Sequence, residues 1–326
     1  MISSTLFKHH VVLHVKPKSL PRIYIDGCYD LFHWGHANVF RQACELFNFN
    51  CVLVVGICED SYMKAHNKNP VLTNEERILS VMSCQFVDEI VDGIDTWNLT
   101  VDLINELKID FIFHGVVNSF DISNGKNCYQ EIINTGRLKF LERTDCVSTL
   151  DFIKRMKNEI NKRDLKEVNK HVIDDSLIQT FSLFKKERNE NDSVVFIDGC
   201  FDMLHVGHYE LFRIAKDMGK HLIVGIYDDE IVKQLKGKHF PIMNLKERTL
   251  NVLACKYVDE VIQKVPYVVS SQFLDEHNIS VVVHGKVLNG VGRECYKQAI
   301  EKGIYKEKDS GKTVTSEDLF RRVTQE

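Results

Sequence analysis

Two short stretches of the chain set a pair of histidines three residues apart around a glycine: His33-Trp34-Gly35-His36 and His205-Val206-Gly207-His208. Each pair follows an apolar run and an Asp-Gly-Cys-aromatic-Asp loop. Two imidazoles at this spacing can both donate to phosphate oxygens, which suits stabilising negative charge on a phosphorus under attack. The glycine lets backbone approach a phosphate closely. A helix starting around the second histidine adds free N–H groups and the positive end of its dipole. The competing readings are a metal pair and structural histidines; zinc would need further ligands at fitting spacing, and none is evident in the sequence.

The elements that must position these histidines occur twice. Residues 25–36 read IDGCYDLFHWGH and residues 197–208 read IDGCFDMLHVGH, identical at eight of twelve positions. The match continues at nearly constant offset: Phe40-Arg41 with Phe212-Arg213, Val55-Gly56-Ile57 with Val224-Gly225-Ile226, Glu76-Arg77 with Glu247-Arg248, and His114-Gly115 with His284-Gly285. One duplicated domain explains this; a solenoid does not. In each copy a short apolar run (Ile23 to Ile25, or Val194 to Ile197) reads as a buried strand, followed by the loop, a helix with apolar residues at helical spacing, and a second strand. Continuous apolar strands alternating with amphipathic helices predict an α/β fold of two tandem Rossmann-like domains, each a doubly wound parallel sheet with ligands at the carboxyl ends of its strands. The domains are placed at residues 1–160 and 191–326, with a charged linker over 161–190 that reads as a solvated helix and linker.

The bulk numbers narrow the class. The chain has 326 residues, 44% hydrophobic and 27% charged, which is enough for two cores. A formal net charge of -4 argues against a dedicated nucleic-acid binder. The ten cysteines form no C-x-x-C pair and no zinc ladder, which suits reduced thiols in a reducing, cytoplasmic compartment. The N-terminal stretch carries charges and histidines where a signal peptide needs a long apolar core, and no apolar run approaches transmembrane length. Both an internal pseudo-dimer within one chain and a further homodimer stay open.

These motifs resemble the cytidylyltransferase family of the HxGH nucleotidylyltransferase superfamily, in its tandem, ethanolamine-phosphate form. The resemblance covers nearly the whole chain. Its most specific stretch is KGKHFPIMNLKERTLNVLACKYVDEV from Lys236 to Val261; the first copy contributes TNEER at 73–77, VDEI at 87–90 and ERTDCVST at 142–149, the last similar to the family's RTxGxST signature. The resemblance implies a reaction in which a phosphate oxygen of phosphoethanolamine attacks the α-phosphorus of CTP. Pyrophosphate leaves, and CDP-ethanolamine forms for phosphatidylethanolamine synthesis. It also implies Mg2+ on the triphosphate, carried mostly by substrate oxygens and water.

Roles follow residue by residue from the resemblance. In the first copy Gly27, Cys28 and Tyr29 line the nucleotide turn, and His33, Gly35 and His36 hold the phosphates and the transition state. His114 and Gly115 form a strand end beside the nucleotide, and Arg143, Thr144, Ser148 and Thr149 contact the triphosphate. Asp30 is open between a structural and a catalytic part. In the second copy the equivalents are Asp198, Gly199, Cys200, Phe201, His205, Gly207 and His208, with Lys236 as the phosphate-binding lysine and His284, Gly285 and Lys286 at the strand end. Trp97 and Tyr267 occupy comparable positions, where they either line an amine pocket through cation–π contact or simply pack.

Each copy departs from the pattern. Where the family has its catalytic Lys-Gly, the first copy reads AHNKNPVLT, leaving Lys68 or Lys64 as the candidate, and its RTxGxST loop has Cys146 in place of glycine. The second copy keeps Lys236-Gly237 but its terminal loop, KDSGKTVTSEDL, has no Arg-Thr. The family shows this same loss in its second domain, so chemistry is expected in the first copy and nucleotide binding in the second. The alternatives are phosphocholine or glycerol 3-phosphate as acceptor, and a degenerate nucleotide-binding regulator. The tandem arrangement, and the lack of a long basic amphipathic helix after the first domain, disfavour the choline form.

Overall fold

The computed structural model describes residues 7–116, 129–144, 147–157, 173–286 and 293–325, and the chain divides into two compact units, Met1–Thr149 and Leu150–Glu326. The first unit holds strands β1 (His9–Val12), β2 (Arg22–Gly27), β3 (Val52–Cys58), β4 (Glu89–Ile94), β5 (Phe111–Val116) and β6 (Leu138–Glu142) in the order β1-β4-β3-β2-β5-β6. The second holds β7 (Val194–Gly199), β8 (His221–Ile226), β9 (Glu260–Gln263), β10 (Ile279–Gly285) and β11 (Tyr305–Lys308) in the order β11-β10-β7-β8-β9. Every residue of β3 and of β8 is buried, as expected of central parallel strands covered on both faces. β2 pairs with β3 on one side and β5 on the other, and β7 pairs likewise with β8 and β10. The chain therefore winds in opposite directions from β2 and from β7. The loops leaving these strands part there and open a crevice at their carboxyl ends.

Three features differ from the sequence reading. The first sheet is not purely parallel, because β1 adds to it antiparallel to β4. This strand has no apolar face; its residues are exposed, and His10 and His9 pair with Glu89 and Asp92 at 2.6 and 3.0 Å. Polar contacts hold it at the edge, so apolar patterning could not reveal it. The helix after each first strand begins before the second histidine, at Trp34 and at Val206, so the first histidine of each pair is the N-cap. The helix expected in the charged segment, Asp175–Ser182, is not simply solvated: it packs against the helix Leu245–Ala254 and buries Phe181 completely.

The second unit also contains a buried ion pair. Arg155 donates to both carboxylate oxygens of Glu247 at 2.7 and 2.9 Å and to the Ile242 carbonyl at 3.0 Å. Glu247 is 2% exposed and already caps its own helix through the Asn244 N–H at 2.9 Å. Arg155→Ala removes the cation and leaves a buried carboxylate with only its capping bonds. Such a loss costs about 3 kcal/mol, the lower end of the range for one-sided removal of a buried pair. Urea denaturation at neutral pH measures it; an unchanged midpoint would show the pair to be irrelevant to stability.

Candidate active site

The His33 turn is held by local strain and by a cap. Tyr29 and Leu31 both take positive φ, 53° and 45°, as do their counterparts Phe201 and Met203 at 46° and 51°. Each such residue costs roughly 1–2 kcal/mol, so the turn persists only because its surroundings over-determine it. Those surroundings include Asp30, whose carboxylate accepts the N–H groups of Val71 and Leu72 at 2.8 Å each. Asp202 does the same for Ile242 and Met243 at 2.6 and 2.9 Å. Asp30 is thus an organiser of the turn. A fully buried Arg77 donates to the Cys28 carbonyl at 2.7 Å, and Arg248 donates to the Cys200 carbonyl at the same distance.

The two imidazoles of the first turn stack with centroids 3.9 Å apart. The His33 Nδ1 accepts the Gly35 N–H at 3.2 Å, and the His36 Nδ1 accepts the His33 N–H at 3.4 Å. Each bond assigns the proton to Nε2, leaving two Nε2–H donors at the start of a helix. Burial, with the Arg143 charge as a smaller contribution, pushes the His36 pKa down to about 3. His36 is therefore a neutral hydrogen-bond donor across the physiological range. The need for glycine at 35 differs from the expectation: a Cβ there would lie 2.5 Å from Val147 Cγ1 and 3.0 Å from the His33 ring. The missing side chain makes room for the imidazole and for the terminal loop.

That loop closes on the turn. Thr144 accepts from the Asn38 side-chain amide at 2.9 Å, and Thr149 Oγ1 donates to the Asp30 carbonyl at 2.8 Å. Arg143 is exposed and stands close enough to His36 to act on its titration. Ser148 is half-buried in the same loop. Cys146, the residue in place of the family glycine, lies outside the described residues, as does Val117 after the His114 strand. Of the lysine candidates, Lys68 sits with its Nζ 6.0 Å from the Trp97 ring centroid and its charge acting on the Cys28 thiol. His66 stacks on Trp97 at 4.2 Å. Lys64 lies exposed on the helix Asp60–Ala65.

The structure adds a carboxylate that the sequence reading placed only in the second copy. Asp26, the last acidic residue of β2, is 8% exposed. Its Oδ1 accepts the Tyr129 hydroxyl at 2.8 Å, and that hydroxyl also meets His114 Nδ1 at 2.9 Å. Its Oδ2 is buried and has no well-aligned hydrogen-bond partner among the described residues, although the Tyr24 hydroxyl, itself unsatisfied, lies close enough to favour the charged carboxylate. Burial raises the Asp26 pKa to about 7, and neighbouring Asp95 pushes the same way. Asp95 in turn accepts the Trp97 N–H at 3.0 Å. A carboxylate with one oxygen lacking a well-aligned partner among the described residues, a second carboxylate and an indole loop together suit a small cation. The repeated Asp of IDG and the repeated Cys-Tyr at 128–129 and 295–296 were the available signals for this pair.

In the second copy the same ground is closed. Both oxygens of Asp198 are occupied, by the Tyr296 hydroxyl at 2.6 Å and the Tyr227 hydroxyl at 3.0 Å. Tyr227 follows the β8 strand where Cys58 ends β3, and Phe196 stands where the first copy has Tyr24, so the second oxygen meets the hydroxyl of a different residue in each copy. Tyr267, the counterpart of Trp97, packs edge-on against Tyr227 at 5.8 Å. His205 and His208 stack at 3.8 Å and His205 Nδ1 accepts the Gly207 N–H at 3.2 Å, but the His208 Nδ1 is buried without a partner among the described residues. Gly199 lies under the Phe201 ring as Gly27 lies under Tyr29, each with a would-be Cβ 3.1 Å away. Lys286 is exposed and 3.7 Å from Asp309, and the His284 ring faces Tyr296 beside Gly285.

An α/β sheet with paired, capped histidines at a switch-point helix defines a nucleotidyltransferase of the phosphate-cradling kind. A cytidylyltransferase-like family model matches residues 24–189 and 196–304. The ethanolamine-phosphate cytidylyltransferase of Dictyostelium discoideum is 37% identical over 93% of this chain and 90% of its own length, and that of Mus musculus is 30% identical over 93% and 85%. A choline-phosphate cytidylyltransferase of Arabidopsis thaliana is 34% identical, but over 46% of this chain and 49% of its own length. The chain belongs to the ethanolamine-phosphate cytidylyltransferase family.

Proposed function

We propose that this protein transfers the cytidylyl group of CTP to phosphoethanolamine, giving CDP-ethanolamine and pyrophosphate, and that the first copy does the chemistry. The observation that carries the choice of substrate and of copy is Asp26, with one oxygen pinned by Tyr129 and the other without a well-aligned partner among the described residues. A primary ammonium has N–H groups to donate to that oxygen, whereas a trimethylammonium has none. Asp198 offers no such oxygen.

The nucleophile needs little help. A phosphate monoester is largely dianionic at neutral pH, its second pKa being about 6. No general base is required, and the protein's work is positioning and charge stabilisation. The phosphoethanolamine oxygen attacks the α-phosphorus, its bond to pyrophosphate breaks, and pyrophosphate carries away the electron pair. His33 and His36 donate Nε2–H bonds to phosphate oxygens, Arg143 and Lys68 bring positive charge to the turn, and the helix Trp34–Glu45 presents its N-terminus. Among the described residues no group of three or more His, Cys, Asp or Glu side chains is placed to hold a metal ion. Mg2+ entering with CTP would be held by triphosphate oxygens and water, where it would neutralise the leaving group. Among the described residues no helix is long and apolar enough to cross a membrane. The free, mostly buried cysteines suit a reducing compartment, and we assign the chain to the cytoplasm on that basis.

The test uses the purified chain with CTP and Mg2+, offering phosphoethanolamine, phosphocholine and glycerol 3-phosphate in turn and measuring pyrophosphate. Phosphoethanolamine should be preferred over phosphocholine by about 10- to 100-fold in kcat/KM, the worth of one charge-assisted hydrogen bond. Release with phosphocholine alone would sink the ethanolamine assignment; release with none would sink the enzyme.

A further inference from the structure

We propose that in the second copy Glu317 occupies the phosphate site itself, so that this copy holds a nucleoside-triphosphate site closed by its own carboxylate. The inference rests on the reading of the first copy as a CTP site. The two terminal segments correspond bond for bond. Thr149 Oγ1 donates to the Asp30 carbonyl at 2.8 Å, and Ser316 Oγ donates to the Asp202 carbonyl at 2.6 Å. Val147 crowds Gly35 as the Val314 carbonyl crowds Gly207. The residue after each hydroxyl is therefore equivalent: Leu150 in the first copy, 57% exposed and apolar, and Glu317 in the second.

Glu317 reaches a lysine that has no other acidic partner among the ion pairs of the described residues. Its Oε1 lies 2.9 Å from Lys236 Nζ, at the end of the helix Asp229–Lys236. The Lys236 charge also acts on His208 and Cys200, so it stands at the turn. What assembles here is a lysine, two stacked imidazoles and the N-terminus of the eleven-residue helix Val206–Lys216. This is a cradle for an anion, and the anion present is a carboxylate. A structural role as helix cap does not account for Glu317, because Thr315 and Asp318 already form a complete capping box on that helix.

Glu317 is about half-exposed, with 45% of its side chain accessible. Such a pair holds weakly and is open to displacement. A triphosphate entering the site must displace Glu317 from Lys236 and then meet its negative charge. Removing that charge should tighten binding by about tenfold or more. The ligand class is a nucleoside triphosphate, read here with CTP.

Calorimetric titration of the full chain with CTP and Mg2+ tests this. Wild type should show one CTP site per chain. Glu317→Gln should show a second, weaker site, and Glu317→Leu, the first copy's residue, should show it too. Adding Lys236→Ala to Glu317→Gln should abolish the second site and keep the first. Two sites in wild type, or one site in both well-folded Glu317 variants, would overturn the inference while leaving the catalytic reading intact. No CTP binding and no pyrophosphate release from wild type would overturn the catalytic reading on which it rests.

Discussion

His36→Ala should cut turnover by about 10²- to 10³-fold, the loss typical for one donor to a charge that develops in the transition state. His208→Ala should weaken turnover only modestly. The reason lies in how each ring is held. The His36 Nδ1 accepts the His33 N–H, completing a capping box, so its Nε2–H is committed to the phosphate side. His208 has no such bond, and its Nδ1 is buried without a partner among the described residues. The cation acting on His36 is the exposed Arg143, whereas the cation acting on His208, Lys236, is already paired with Glu317. Because burial holds the His36 pKa at about 3, the ring does not titrate in the working range, and the loss in His36→Ala should be the same at pH 6 and pH 8. Single-turnover kinetics with saturating CTP would separate this from weakened binding. Equal losses in the two variants, or the larger loss in His208→Ala, would overturn the assignment of the chemistry to the first copy.

What the sequence displayed and what it hid divide along physical lines. The paired turns were legible because the strand, the Asp-Gly loop and the helix start are local and recur at 25–36 and 197–208. The parallel sheets were legible because β3 and β8, buried throughout, read as unbroken apolar runs. The strand β1 was hidden because its residues are exposed and held by polar contacts. The packing of the helix Asp175–Ser182 was hidden because its surroundings are charged while its one buried anchor is Phe181. The site was legible around His33 and His36, but the Asp26–Tyr129 bond spans 103 positions and exists only because β2 and β5 are neighbours. The difference between the copies was least legible of all. It turns on Cys58 against Tyr227, and on Leu150 against Glu317, residues that mean nothing until Asp26, Asp198 and Lys236 stand beside them.

Asp26→Asn should raise the KM for phosphoethanolamine by about 10- to 100-fold, since it removes a charged acceptor from an ammonium. It should leave the KM for CTP nearly unchanged. The pH dependence identifies the carboxylate. Burial raises the Asp26 pKa from 3.8 to about 7, so in the free protein the ammonium-binding form is lost as pH falls through 7. The kcat/KM for phosphoethanolamine should show an acid limb near that value in wild type. In Asp26→Asn only the substrate's own limb, at about 6, should remain. Stability should move in the opposite direction. A carboxyl whose pKa is raised by folding binds its proton more tightly in the native state. Its favourable contribution is full below 3.8 and is lost as pH rises towards 7. Asp26→Asn, which cannot ionise, should therefore melt higher than wild type at pH 8 and close to it at pH 4. Such a variant would be more stable and less active, as expected if the chain keeps a desolvated charge for its substrate. A wild-type acid limb that persists unchanged in Asp26→Asn, or a lower melting temperature at pH 8, would remove Asp26 from the ammonium site. Cys58→Tyr approaches the same point from the other side. It recreates the residue that caps Asp198 and should raise the KM for phosphoethanolamine while Asp26 itself stays in place.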